Sequence, residues 1–143
     1  MKAEHAEVVQ DVFCDMLGKL TFMFAEPCAK EDVPHSTEGY RAVDLGFDGD
    51  LSGQMTLIVP AAMCRELAAN VLGTSPDDEE AEQKALDALK ETLNVICGHV
   101  LTTLGDADGV YDLGVPTETK AGPRQWRKKL ESSRCLGFLV DDE

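Results

Sequence analysis

The segment from Lys84 to Leu104 limits the fold of this chain more than any other stretch. Placed at about 100° per residue, Leu86, Leu89, Leu93, Ile96, Cys97, Val100 and Leu104 fall within about 60° of one direction. The spacing predicts a long helix whose apolar stripe the rest of the chain must cover. Ser75-Pro76-Asp77-Asp78-Glu79-Glu80 supplies its start signal. Ser75 suits a cap, Pro76 suits the first turn, and the acids favour the positive end of the helix dipole.

The covering elements follow from the remaining periodicities. From about Glu4 to Phe24, Val9, Val12, Phe13, Met16 and Leu20 recur at helical spacing, and Pro27 bounds the segment. Glu26 to Gly39 is polar, contains Pro27 and Pro34, and reads as a loop. Tyr40–Phe47 and Leu51–Val59 read as strands around an Asp48-Gly49-Asp50 turn. The second of these is partly alternating and partly continuous apolar, the pattern of a strand inside a sheet. Pro60 opens a helix at its first position and Gly73 closes it, with Met63, Leu67, Val71 and the alanines on its apolar side. Gly105–Gly109 is a loop, and Val110–Val115 and Cys135–Val140 read as strands. The stretch between them, with Pro116, Gly122 and Pro123, reads as a long hairpin arm or a short irregular element. A helix followed by a hairpin thus occurs twice. The expectation is a single α+β domain over residues 1–143, with helices packed on one face of a mainly antiparallel sheet.

Charge and motif content exclude several function classes. The net charge of −14 opposes nucleic-acid binding. It is uneven: Lys120 to Arg134 holds six of the 13 basic residues (Lys120, Arg124, Arg127, Lys128, Lys129, Arg134) against one acid, Glu131. That run is a solvated surface arm or a patch that steers an acidic partner. No stretch reaches the roughly 18 apolar residues of a membrane span, and the first residues carry acids where a signal peptide would be basic. A cytoplasmic protein with no membrane association is expected. The five cysteines, Cys14, Cys28, Cys64, Cys97 and Cys135, form no CxxC pair and read as small core residues. His5, His35 and His99 have no metal-ligand spacing. There is no GxSxG elbow, Walker A or GxGxxG.

The chemistry-bearing residues lie opposite the apolar stripe of the long helix. Asp87, Glu91, Asn94, Gly98 and Thr102 fall roughly 100–180° away from it, and Val95 also points outward. Gly98 in a helix interior costs about 1 kcal/mol relative to alanine, yet a glycine there lets another surface come close. By periodicity alone this is either a solvated face with a tolerated glycine or a docking surface.

Glu91-Thr92-Leu93-Asn94-Val95-Ile96-Cys97-Gly98 resembles the E-x-x-N-x-x-x-G pattern of the CheC/CheX/FliY chemotaxis phosphatases. The order of the surrounding segments agrees: the hairpin ending in Met55–Pro60, the alanine-rich helix ending at Gly73, the acidic spacer, the pattern helix, and the strand ending Gly114-Val115-Pro116. The resemblance implies a CheC/CheX-like fold and dephosphorylation of an aspartyl phosphate on a CheY-like response regulator. The regulator contributes Mg²⁺, and this chain binds no cofactor or metal of its own. Glu91 is then the carboxylate that pairs with a lysine of the regulator, and Asn94 orients the attacking water. An amide fits that role because it donates and accepts hydrogen bonds. Asp87, Val95 and Gly98 are read as partner contacts, with Gly98 relieving crowding on docking.

The first helix echoes the pattern. Glu7-Val8-Val9-Gln10-Asp11-Val12-Phe13-Cys14 aligns with Glu91–Gly98, and Asp44-Leu45-Gly46-Phe47 aligns with Asp112-Leu113-Gly114-Val115. Gln10 replaces the asparagine and Cys14 the glycine, so Glu7 and Gln10 are read as a vestigial second site. One good copy makes the chain resemble the CheX-like members, which implies a homodimer. The alternatives to a phosphatase are a non-catalytic regulator-binding module of the same fold and a structural subunit of a motor-switch or sensory complex.

Overall fold

In the computed structural model, the described residues are 3–33, 39–73, 75, 80–105, 111–119, 123–132 and 134–141. The elements run α1 (Ala3–Thr21), β1 (Ala25–Cys28), a 3-10 turn (Lys30–Asp32), β2 (Tyr40–Asp48), β3 (Gly53–Pro60), α2 (Ala61–Leu72), α3 (Ala81–Leu104), β4 (Asp112–Leu113), β5 (Thr117–Thr119), α4 (Pro123–Leu130) and β6 (Gly137–Val140).

The long helix is the hub. α3 packs against α1, α2, β2 and β3, and Leu86, Leu89, Leu93, Ile96, Cys97 and Val100 are buried as their spacing requires. Leu104 is half-buried. The covered surface is wider than the predicted stripe, because Ala85, Ala88, Thr92 and Leu101 are buried too. The alanines let α2 approach closely, and the Cys64 thiol reaches the Ala85 carbonyl at 3.7 Å. Thr92 enters the core by donating its hydroxyl to the Ala88 carbonyl at 2.7 Å, so that hydroxyl is not left unpaired. Cys64 and Cys97 behave as small core residues, and burial pushes the Cys97 thiol up to about 11. Cys14, Cys28 and Cys135 are half-buried, and none of the five is in a disulfide.

On the sheet face beneath the helices the inward residues recur at every second position, although Ala42 on the other face of β2 is buried too. Val43 and Leu45 of β2 pair with Leu57 and Met55 of β3 and join the core. All pairings are antiparallel. β3 pairs only with β2 among the described residues, so it is an edge strand and not the interior strand its apolar run suggested. β4 and β5 both pair with β2. Because β3 occupies one side of β2 along its length, they follow one another along the other side.

Several boundaries move, each for a physical reason. α1 stops at Thr21, not Phe24, because Phe22 takes a left-handed conformation (φ 59°) that turns Met23 into the core. The segment expected to be only a loop supplies β1, which pairs with β6 in a separate two-stranded ribbon. Pro27 sits opposite Phe138 there, a place open to proline because the ribbon has free edges. The ribbon is tied by a reciprocal pair of 2.8 Å bonds: the Phe24 N–H donates to the Asp141 carboxylate, and the Asp141 N–H donates to the Phe24 carbonyl. Phe13 of α1 stacks on Phe138, ring centroids 4.2 Å apart. In α1 itself the buried residues described are Leu17 and Thr21, both outside the predicted stripe, whereas Val9, Val12, Phe13, Met16 and Leu20 are half-buried. Gly73 caps α2 in the left-handed region as expected, while Pro60 lies one residue ahead of that helix. α3 begins at Ala81 after Glu80, with no side-chain cap; Ser75 lies outside it, and Pro76–Glu79 fall outside the described residues. The other late strands are shorter than predicted: 106–110 lie outside the described residues, and β6 starts at Gly137. The basic stretch contains a helix, α4, in place of a hairpin arm. Its Trp126 is buried, with the ring centroid 6.3 Å from that of Tyr40, while Arg124, Arg127, Lys128 and Lys129 are exposed around it.

Since Leu89 is fully buried at the centre of this packing, Leu89→Ala lowers unfolding free energy by about 3 kcal/mol, read as a urea-midpoint shift. Glu91→Ala, on the exposed side, changes it by about 0.5 kcal/mol or less.

Candidate functional site

The residues that anchor α3 in the core also fix what its other side presents. With Leu89, Leu93 and Ile96 buried, the helical period turns Asp87, Lys90, Glu91 and Asn94 outward as a diamond of i, i+3 and i+4 neighbours. Asp87 and Glu91 are exposed, while Lys90 and Asn94 are half-buried. Asp87 accepts a 3.3 Å hydrogen bond from the Gln83 amide.

These four side chains form one wall of a groove of about 390 Å³, whose other wall is Gly114, Val115 and Pro116. The second wall exists because of a register change. Phe47 pairs with Leu113, yet Asp44 pairs with Thr117. Three steps along β2 are thus matched by four steps along the β4–β5 segment. The extra residue is a β-bulge, a device that bends a strand and re-aims a side chain. Gly114 donates its N–H to the Gly46 carbonyl at 2.9 Å, and a Cβ on Gly114 would sit 3.4 Å from that oxygen. Val115, next in sequence, is 83% exposed.

The structure therefore brings Asp87, Glu91 and Asn94 together in one groove. Val95 and Gly98 are half-buried on the same helix but are not part of its lining. A Cβ built on Gly98 meets nothing within 4 Å, so the packing of this chain does not demand glycine there. Glu7 is exposed and Gln10 half-buried on α1. The first-half counterpart of the bulge is regular: Gly46 and Phe47 pair in step with Gln54 and Gly53 of β3. The basic side chains of α4 do not line the groove.

Sequence reasoning missed Lys90, Gly114, Val115 and Pro116 as groove residues. The available signal was a glycine and a proline flanking one valine in a predicted strand, which marks a bulge or an irregular edge. Among the described residues no group of three or more His, Cys, Asp or Glu side chains is placed to hold a metal ion. No helix among them is long and apolar enough to cross a membrane.

Comparison with known proteins gives this geometry a context. The model of the family described as chemotaxis phosphatase CheX matches residues 42–136. Chemotaxis protein CheX from Vibrio vulnificus is similar in structure, with a TM-score of 0.66 at 18% identity over 83% of this chain and 76% of that one. A chain of the CheX–CheY–BeF3–Mg²⁺ complex from Borrelia burgdorferi gives a TM-score of 0.66 at 20% identity, over 99% of this chain and 92% of that one. FliY from Thermotoga maritima gives a TM-score of 0.55 at 16% identity, over 83% and 69%. At these identities the structural likeness establishes the fold, the α+β arrangement expected from the sequence. No curated protein matches the chain.

Because the space around Gly98 is open, Gly98→Ala stabilises the isolated protein by roughly 0.5–1 kcal/mol through helix propensity. A rise in the urea midpoint at unchanged slope is the expected observation.

Proposed function

The chain belongs to the CheX family of chemotaxis phosphatases, and from that membership we propose that its groove hydrolyses the aspartyl phosphate of a CheY-like response regulator. In this reading Glu91 and Asn94 carry the recognition and the chemistry. The observation that supports it best is the state of Asn94: its amide lines the groove beside Glu91 and is half-buried.

The roles follow from what the reaction needs. Water attacks phosphorus in line, the bond from phosphorus to the aspartyl oxygen breaks, and the products are inorganic phosphate and the free aspartate of the regulator. Phosphoryl transfer asks chiefly for positioning and charge stabilisation, so no strong base is needed on this chain. The Asn94 carbonyl oxygen accepts a hydrogen bond from the water, and its NH₂ group donates to the phosphoryl oxygens. Both functions reside in one amide. Glu91, exposed at the groove wall, pairs with a cation of the regulator and sets the distance between the two proteins. Asp87, one turn earlier, adds a second carboxylate to the same contact. The Mg²⁺ belongs to the regulator, where it neutralises phosphoryl charge. Gly98, whose side is open, lets the regulator approach the helix backbone. A module that only binds would have no need of an amide among the groove's lining residues.

The test is phosphate release from a response regulator charged by a small-molecule phosphodonor in Mg²⁺, with and without this protein. Clear acceleration is expected. Asn94→Ala reduces it by about 10²-fold, the scale of lost positioning, while complex formation survives. Glu91→Lys weakens the complex itself. Absence of acceleration with every regulator of the source organism sinks the assignment.

A further inference from the structure

We propose that Val115 is a positioning residue of this site: an apolar contact, held out by the bulge, that seats the response regulator against α3. The proposal rests on the function inferred above and adds a residue outside the E-x-x-N pattern.

The bulge decides which residue stands opposite buried Leu45. Continued from the Phe47–Leu113 pair, a regular register would set Val115 opposite Leu45. Directly opposed residues point to the same face of a sheet, and Leu45 is fully buried. A valine there would be an ordinary core residue. Counted back from the Asp44–Thr117 pair, however, Pro116 lies opposite Leu45, and Pro116 is half-buried. The extra residue thus moves Val115 away from the place opposite Leu45: Val115 is turned out to 83% exposure, while Pro116 is half-buried and lines the groove. Proline has no N–H to give back to the ladder, so the irregular pairing is locked into the sequence.

An exposed valine is unremarkable by itself. Its position is what matters, because Val115 faces Asp87, Glu91 and Asn94 across one groove. A partner seated in that groove meets carboxylates and an amide on one wall and an apolar tip on the other. The occupant to which this points is the response regulator, presenting an apolar side chain beside its phosphorylated aspartate. The charge balance favours such a contact. This chain carries a net −14, and a phosphorylated acidic site approaching it is opposed at long range. Apolar burial supplies attraction that does not rest on charge and is not screened by salt.

The test compares Val115→Ser and Val115→Ile with the parent protein, in two measurements. Binding is measured to a response regulator held in its phosphorylated form by beryllofluoride and Mg²⁺, at low and high salt, and needs no turnover. Phosphate release is followed over a range of regulator concentrations. Val115→Ser is expected to weaken binding about tenfold, equivalent to about 1.4 kcal/mol, by the same factor at both salt concentrations. In turnover the loss appears in KM and not in kcat. Val115→Ile retains parental affinity. Circular dichroism and the urea midpoint stay unchanged, whereas a merely structural role would shift them and would not confine the loss to binding and KM. Binding and KM of Val115→Ser within twofold of the parent overturn the proposal, even when the parent is an active phosphatase. A parent that binds the regulator but releases no phosphate overturns the catalytic reading instead, and the binding series still decides the role of Val115.

Discussion

Everything else in this protein depends on covering the apolar side of α3. A helix from Ala81 to Leu104 has little stability alone in water, and most of what it has in a protein comes from packing its apolar side. Here α1, α2, β2 and β3 all pack on it. Its alanines admit α2, its leucines meet the β2–β3 hairpin, and its one buried hydroxyl is satisfied within the helix. The opposite side is rigid as a consequence. Glu91 and Asn94 do not need a loop to hold them; the burial of Leu89, Leu93 and Ile96 fixes their direction. In the function proposed for them positioning is the main catalytic resource, and a side chain on a buried helix is a good mount for it.

The second constraint is the β2 strand, whose far side meets the bulged segment. The register places Gly46 opposite Gly114, and these two glycines occupy equivalent places in the echoed Asp-Leu-Gly segments. A pair of equivalent residues facing each other is what a local two-fold axis between the halves produces. The halves then diverge at the next residue. Phe47 continues in regular pairing and packs against the core, whereas Val115 is turned out to 83% exposure and the register advances by one residue to Pro116. That one-residue difference is a physical reason for an open groove beside α3, and it agrees with the weaker pattern, Gln10 and Cys14, on α1.

Long periodic elements were legible in the sequence. The stripe of α3, the β2–β3 hairpin, α2 with its terminal glycine, and the outward placement of Asp87, Glu91 and Asn94 all follow from spacing. What was not legible depends on tertiary partners. β1 is four residues with a proline, and only its pairing with β6, more than a hundred residues later, makes it a strand. The end of α1 is set by a phenylalanine in a left-handed conformation, where the sequence offers no glycine or asparagine as a signal. α4 is dominated by charge, and what anchors it is one tryptophan against Tyr40. The interior look of β3 came from apolar residues that face the helices, while its outer edge stays unpaired among the described residues.

The site itself divides along the same line. Half of it, the helix face, repeats every 3.6 residues and could be read directly. The other half is a defect in strand pairing, and a defect has no period. Its only trace in the sequence is Gly114 and Pro116 on either side of Val115. Glycine tolerates the close approach to Gly46, proline refuses the ladder, and between them the valine has nowhere to go but out. A groove built from a periodic wall and an aperiodic wall is therefore half visible from sequence. In the proposed function, the hidden half joins the motif in setting which surfaces of a partner fit beside Glu91 and Asn94.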